Sequence, residues 1–192
     1  MEDHIRGLYD AGKLAEAATL AIETYGPEVL GWLVVTTNDT TAAEDAFASA
    51  SEDLWRGLET FRWECSVRTW MYTLTKRALI RQRKRAAERP HRREELGSYD
   101  AAERARSRTA PWLRTEVKDV FARLRAALAE DERELLVLRV DRQMAWDEIA
   151  RIVDEDGDPK QVAARVRKRF QSIKEKLRDL AHAEGLLERE DT

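Results

Sequence analysis

Apolar residues recur at helical spacing in segment after segment of this chain. Leu14, Leu20 and Ile22 outline a first amphipathic helix. Gly26-Pro27 is expected to break it, and Pro27 suits the first turn of a second helix running to about Val35. Asn38-Asp39-Thr40 has the composition of a turn. Thr41-Ala42-Ala43-Glu44 follows the capping-box pattern, in which a hydroxyl and a carboxylate three residues on each bond the other's backbone N–H, so a third helix is predicted to start there. Ala43, Phe47, Ala50 and Leu54 form its buried stripe, widened by Trp55, and Gly57 lies near its end. Glu44, Asp45, Glu52 and Asp53 fall elsewhere on this helix and give it an acidic outer face.

Residues 59–65 read as a loop, and Ser66 can cap the helix that follows. Val67, Trp70, Met71, Leu74 and Ala78 make that helix's apolar stripe. Arg68, Thr69, Tyr72, Lys76 and Arg77 are expected to point at least partly outward, with fraying past Arg85. Residues 86–111 hold Pro90, Gly97, Ser98 and Pro111 among dense mixed charge with little apolar periodicity, the marks of a linker. This divides the chain into a domain at 1–88, a linker at 89–111 and a second domain at 112–192. The second half reads as Val117, Val120, Phe121, Leu124 and Leu128 on one helix, then Leu135, Leu136, Leu138 and Val140 on another. Trp146, Ile149, Ala150 and Val153 make a short third. Asp158-Pro159 then supplies an N-cap followed by proline at the first helical position. Val162, Val166, Ile173, Leu177 and Leu180 line the inner face of a long last helix. The fold class is therefore all-α, as two small helical domains.

Composition agrees with this and adds charge. Of 192 residues, 37% are charged and 43% hydrophobic, with 8 Gly and 4 Pro. That mix favours helix and still supplies modest cores. The net charge of -3 conceals an alternation. Residues 1–60 carry 12 acidic and 3 basic side chains, and 61–93 carry 2 and 11. Residues 130–158 carry 11 and 4, and 159–178 carry 1 and 8. Two focused positive segments in an acidic remainder suit a nucleic acid gripped at two separated places. The single Cys65 rules out an internal disulfide and no cysteine cluster offers zinc ligands, consistent with a reducing cytoplasm. The acidic start and the short apolar run at Leu30–Val35 predict neither a signal peptide nor membrane insertion.

Candidate chemistry is that of binding. The histidines His4, His91 and His182 fall in no metal-ligand pattern, and no Gly-rich phosphate loop is present. The adjacent pairs Glu44/Asp45 and Asp147/Glu148 do not share a helix face and read as solvated surface, so no enzyme and no cofactor is expected. The short third helix and the last helix of the second half have the layout of a helix-turn-helix, whose second helix reads base edges in the major groove. Gln161, Arg165 and Lys168 stand where such contacts are made, with Arg167, Arg169 and Ser172 alongside. The acidic turn Asp154–Asp158 should face away from phosphate. In the first half, Phe61, Trp63, Trp70 and Tyr72 interleave with Arg62, Arg68, Lys76 and Arg77. Aromatic faces that stack on bases and cations that hold phosphates are how single strands are bound. Trp70 sits on the apolar stripe and Trp63 in a polar loop, where exposure is expected. These features leave open a stand-alone helix-turn-helix regulator and, against the basic helices, a protein-binding helical adaptor.

The same residues resemble a family. Phe61-Arg62-Trp63-Glu64-Cys65-Ser66-Val67-Arg68-Thr69-Trp70-Met71-Tyr72 is similar to the "FRGESSFRTWLY" signature in region two of bacterial sigma-70-type factors of the extracytoplasmic-function group. Ala43-Glu44-Asp45 with Trp55 resembles the group's "DAED…W" helix. Leu135–Arg139, Trp146–Ala150 and Val162–Arg169 resemble region four. The resemblance implies an alternative sigma factor that binds core RNA polymerase and recognises and melts promoter DNA, double- and single-stranded, with an anti-sigma factor as a further partner. It implies polymerase contact through Glu44, Asp45, Ser49 and Asp53. It assigns the −10 element to Phe61, Arg62, Trp63, Glu64, Ser66, Arg68, Thr69, Tyr72, Lys76, Arg77 and Arg81, and the −35 element to Gln161, Arg165, Arg167, Lys168, Arg169 and Ser172. Ser49 stands at a usual Glu, Trp63 at a usual Gly and Cys65 at a usual Ser. Ala163 and Ala164 replace polar residues of the recognition helix, and a longer acidic turn precedes it.

Overall fold

A computed structural model describes residues 1–88 and 123–186, and every regular element among them is helical. The expected linker at 89–111, and Val117, Val120 and Phe121, lie outside the described residues. In chain order the elements are α1 (Glu2–Asp10), α2 (Leu14–Thr37), α3 (Thr40–Gly57), a 3-10 turn (Leu58–Thr60) and α4 (Val67–Glu88). After the gap come α5 (Glu130–Leu136), a wide turn over Val137–Asp141, α6 (Trp146–Val153) and α7 (Pro159–Ala183). Helices α1 to α4 form one bundle, and α5 to α7 a second that lies against α2 and α4.

The first bundle departs from expectation at its start. Helix α1, which the spacing of apolar residues did not predict, buries Ile5 completely. Its Glu2 carboxylate accepts from the Val67 backbone N–H, one of the donors left over at the start of α4, and from the Tyr25 hydroxyl at 2.7 Å. Burial, and then Glu2, push the Tyr25 hydroxyl pKa up. Helix α2 does not break at Gly26-Pro27 but runs through it. Ala17, Ala18, Ala21, Val29, Trp32 and Leu33 are buried on both sides of the proline, and this continuous packing outweighs the lost N–H. Gly26 serves close approach, since a Cβ there would lie 3.0 Å from the Phe47 ring.

Helix α3 starts slightly earlier than the capping-box pattern implied. Asp39 is its N-cap, accepting from Ala42 N at 3.0 Å, while Asn38 closes α2 in the left-handed region at φ 54. Ala43, Ala50 and Leu54 are buried as expected, but Trp55 stands 50% exposed and does not widen the stripe. In α4 the Ser66 cap is present, with Thr69 N donating to Ser66 Oγ at 3.0 Å, and the helix continues past Arg85 to Glu88.

In the second bundle Leu135, Leu136 and Leu138 are buried, but Val140 lies in the wide turn and is half exposed. Glu132 and Glu148 cap α5 and α6 by accepting from the N–H groups of Ala129 (2.8 Å) and Ala145 (2.9 Å). Asp158 caps α7 through Gln161 N at 2.9 Å, with Pro159 first in the helix as predicted. Val162, Val166 and Ile173 pack inward, and Trp146 meets Phe170 edge-on at 5.4 Å. Glu132 also holds Lys176 at 2.7 Å, which keeps its carboxyl pKa low.

Two substitutions test these joints. Glu2→Ala removes the distant cap of α4 and should lower stability by about 0.5–2 kcal/mol, seen as a lower urea midpoint. At Gly157 a Cβ would come 2.6 Å from Val162 Cγ2 and 2.8 Å from Asp154 Oδ2. Gly157→Ala should therefore cost about 1–3 kcal/mol by overpacking the turn between α6 and α7, read in the same titration.

Candidate nucleic-acid interface

The loop before α4 is an aromatic knot. Phe61 stacks on Trp70 with ring centroids 4.5 Å apart, Trp63 lies 5.1 Å from Phe61, and Tyr9 of α1 meets Trp63 edge-on at 5.3 Å. Arg6 sits over the Trp63 ring at 5.0 Å. Trp63 is thus half-buried, not exposed as its polar neighbours suggested, because the unforeseen α1 covers it. Its backbone lies in the left-handed region at φ 57, where a bulky side chain is strained by about 1–3 kcal/mol. The ring contacts hold it there. Phe61 is buried at 9% exposure, which leaves little of its face for a base. Arg62 and Glu64 are the exposed members of the loop.

Two further residues expected to face outward are core. Tyr72 is fully buried against Trp32, 5.1 Å between rings, and burial raises its hydroxyl pKa. Thr69 is also fully buried. Tyr72 packs within the first bundle, on Trp32 of α2, whereas Thr69 is covered by the second, whose α6 lies against α4. Thr69 Oγ1 receives from Ser66 Oγ at 2.9 Å and donates to Glu148 at 2.8 Å.

Five cations of α4 each have a carboxylate, Arg68 and Arg81 within the first bundle and Lys76, Arg77 and Arg83 in the second. Arg68 Nε pairs with Glu28 at 2.6 Å, and its guanidinium also donates to the Arg142 carbonyl at 3.1 Å. Burial alone would lower the Arg68 pKa; Glu28 more than reverses this. Lys76 pairs with Glu134 at 2.5 Å, a carboxylate whose pKa burial raises while Lys76 opposes the rise. Arg77 engages both oxygens of Glu155, one at 2.6 Å. Arg81 holds Asp53, and Arg83 holds Glu130 at 2.7 Å.

On α7, Gln161, Arg165, Arg167, Lys168, Arg169 and Ser172 are all exposed, as the periodicity predicted. The acidic turn does not face away from them: Asp154 pairs with Arg165 at 2.6 Å, and Asp131 of α5 pairs with Arg169. On α3, Glu44 and Ser49 are exposed, Asp45 accepts from Gln82 at 3.4 Å and Asp53 is taken by Arg81. Sequence reasoning missed Glu2, Arg6 and Tyr9 of α1 and the carboxylates Glu28, Glu134, Glu148 and Glu155. The block of negative charge at 130–158 was the available signal for the last three. Among the described residues no His/Cys/Asp/Glu group could hold a metal ion, and no helix is long and apolar enough to cross a membrane.

Comparison with known proteins bears on most of the first bundle. Residues 21–89 match the sigma-70 region 2 family. No curated protein matches the chain. Among solved structures it is similar to the sigma factor RpoE, in a co-crystal structure with the anti-sigma factor NepR from Bartonella quintana. That match has a TM-score of 0.63 at 16% identity and covers 85% of this chain and 96% of that one. At that identity the likeness is one of fold, and it extends through both bundles. An aromatic loop leading into a basic helix thus lies within a span similar to sigma-70 region 2, in a two-bundle fold similar to that of a solved sigma factor.

Proposed function

We propose that this protein is an alternative sigma factor, which binds core RNA polymerase and directs promoter recognition and melting. The single observation that carries this reading is the region 2 match over residues 21–89, the span holding both the acidic α3 and the basic α4. It acts in the cytoplasm by binding, without cofactor or turnover of its own; RNA synthesis belongs to the polymerase. Glu44, Asp45, Ser49 and Asp53 dock on the polymerase. Domain limits of 1–88 and 112–192 with a linker at 89–111 fit this division of labour.

In the −10 role, Arg62, Glu64, Arg68, Lys76, Arg77 and Arg81 offer polar groups to the opened strand. Phe61, Trp63, Ser66, Thr69 and Tyr72 shape and support the loop. In the −35 role, Gln161, Arg165 and Lys168 reach base edges while Arg167, Arg169 and Ser172 meet phosphates. The neighbour's co-crystal with an anti-sigma factor supports a comparable protein inhibitor for this chain.

Transcription in vitro with core polymerase, with and without this chain across a promoter library, should yield a defined set of transcripts only in its presence. Tight operator binding by the chain alone, with no polymerase-dependent transcripts, would instead identify a stand-alone repressor. In the holoenzyme, Arg165→Ala or Lys168→Ala should relax upstream sequence preference, each costing about 1–3 kcal/mol of discrimination at its base. Lys76→Ala or Arg77→Ala should weaken promoter binding evenly across sequences and reduce the slope of log K against log salt by about 1. Both are read by competition binding over a salt series.

A further inference from the structure

We propose that Arg6 of α1 and Trp63 form a stacking site for one unpaired nucleobase, with the Arg6 guanidinium as its movable upper face. This rests on the −10 reading above and adds to it a residue from outside the loop and the basic helix. Its pairing sets Arg6 apart from the other cations near it in the chain. Residues 1–60 hold 3 basic side chains. Lys13 pairs with Glu16 at 3.1 Å, and Arg56 with Glu52 at 3.2 Å. Arg6 pairs with no carboxylate among the described residues, although Asp3 and Asp10 stand three and four positions away on the same helix, the spacing at which such pairs form. It is exposed and lies instead over the Trp63 ring, 5.0 Å from the centroid.

The ring beneath is held by better-anchored neighbours. Phe61 lies 5.1 Å from Trp63 and is itself stacked on Trp70 at 4.5 Å. Tyr9 meets the ring edge-on at 5.3 Å, and its hydroxyl donates to the Glu59 carbonyl at 3.1 Å, which ties α1 to the chain just before the loop. Among the described residues Trp63 Nε1 donates to no acceptor, so a small tilt of the ring breaks no hydrogen bond.

A base fits this arrangement by lifting Arg6 off the ring and lying between the two. A cation over an exposed ring is a weaker contact than a base stacked on an aromatic face. A guanidinium plane also stacks on a base as it does on an indole. Insertion therefore replaces one contact by two, and the largest movement it needs is the rotation of an exposed side chain. Arg62, with a side chain 84% exposed, stands beside Trp63 in the chain as a cation for the adjoining phosphate. Every base has a π-face, so this site contributes hold on the opened strand more than choice of sequence.

The test uses the holoenzyme and a promoter that it transcribes, with the −10 element held open as a mismatched bubble. Bases of the opened strand are replaced one at a time by 2-aminopurine, whose fluorescence falls on stacking, and in a parallel series by an abasic sugar. With the wild-type chain one position should be quenched on binding, and loss of that base should weaken binding about tenfold. Arg6→Ala should lose part of the quenching and bind the intact bubble about threefold more weakly, yet bind the abasic bubble as wild type does. Arg6→Lys keeps the charge without the plane and should recover less than half of that loss. Because Arg6 is exposed, both variants should keep the wild-type urea midpoint.

Equal losses on the intact and abasic bubbles would make Arg6 a general charge or a prop for the loop and overturn the site. So would an Arg6→Lys variant that binds as wild type does, or a scan with no quenched position. Trp63→Gly gives a separate check: it should abolish the quenching, and Arg6→Ala should then cost nothing more. If the chain directs no polymerase-dependent transcription, the sigma-factor reading falls by that result alone. The free chain titrated with a short mixed-sequence single strand carrying 2-aminopurine then decides the site, which stands only if Arg6→Ala reduces the quenching.

Discussion

A helix that is both the spine of a bundle and a carrier of many cations must have its charge answered wherever something packs on it. Helix α4 is in this position. Val67, Met71, Tyr72 and Leu74 are buried in the core, while Arg68, Lys76, Arg77, Arg81 and Arg83 project from the same few turns. Removing such cations from water without a counter-charge is costly, so any element that lies over α4 has to bring carboxylates or leave gaps. The second bundle brings them: Glu130, Glu134 and Glu155 on cations and Glu148 on a hydroxyl. The alternation of charge along the chain therefore has a structural use of its own. It is the complementarity by which one half of the molecule fits the other.

That constraint explains what could be read from the sequence and what could not. The all-α class, the Ser66 cap, the Asp158-Pro159 start and the exposed row on α7 depend on local chemistry, and local chemistry was enough to locate them. Pro27 failed as a breaker because tertiary burial on both of its flanks decides the outcome, and a dipeptide carries no information about that. Helix α1 went unseen because its contribution rests on few side chains: Ile5 in the core, Glu2 on α4 and Tyr25, Tyr9 on Trp63.

The site itself was legible in composition but not in geometry. Periodicity correctly assigned Lys76 and Arg77 to the side of α4 away from its own core. It placed Thr69 and Tyr72 partly outward too, and they are fully buried. For Thr69 the covering element comes from 79 positions further along the chain, in Glu148, beyond the reach of any local window. Trp63 departs in the same sense: flanked by Arg62 and Glu64 it was expected to be exposed, and it is held instead by Tyr9, Phe61 and Arg6.

The Trp63 position bears on how the loop works. A residue at φ 57 is where glycine is at ease and a large aromatic is not. Here the strain is offset by three contacts, of which two come from α1. The conformation of the loop before α4 is therefore tied to α1, and through Glu2 to the first turn of α4. On the proposed −10 role, a base entering this loop would have to displace or stack upon a ring already engaged, so its capture would depend on how firmly α1 holds Trp63. Loop shape, helix start and access to the aromatic knot are set together by one short helix, α1.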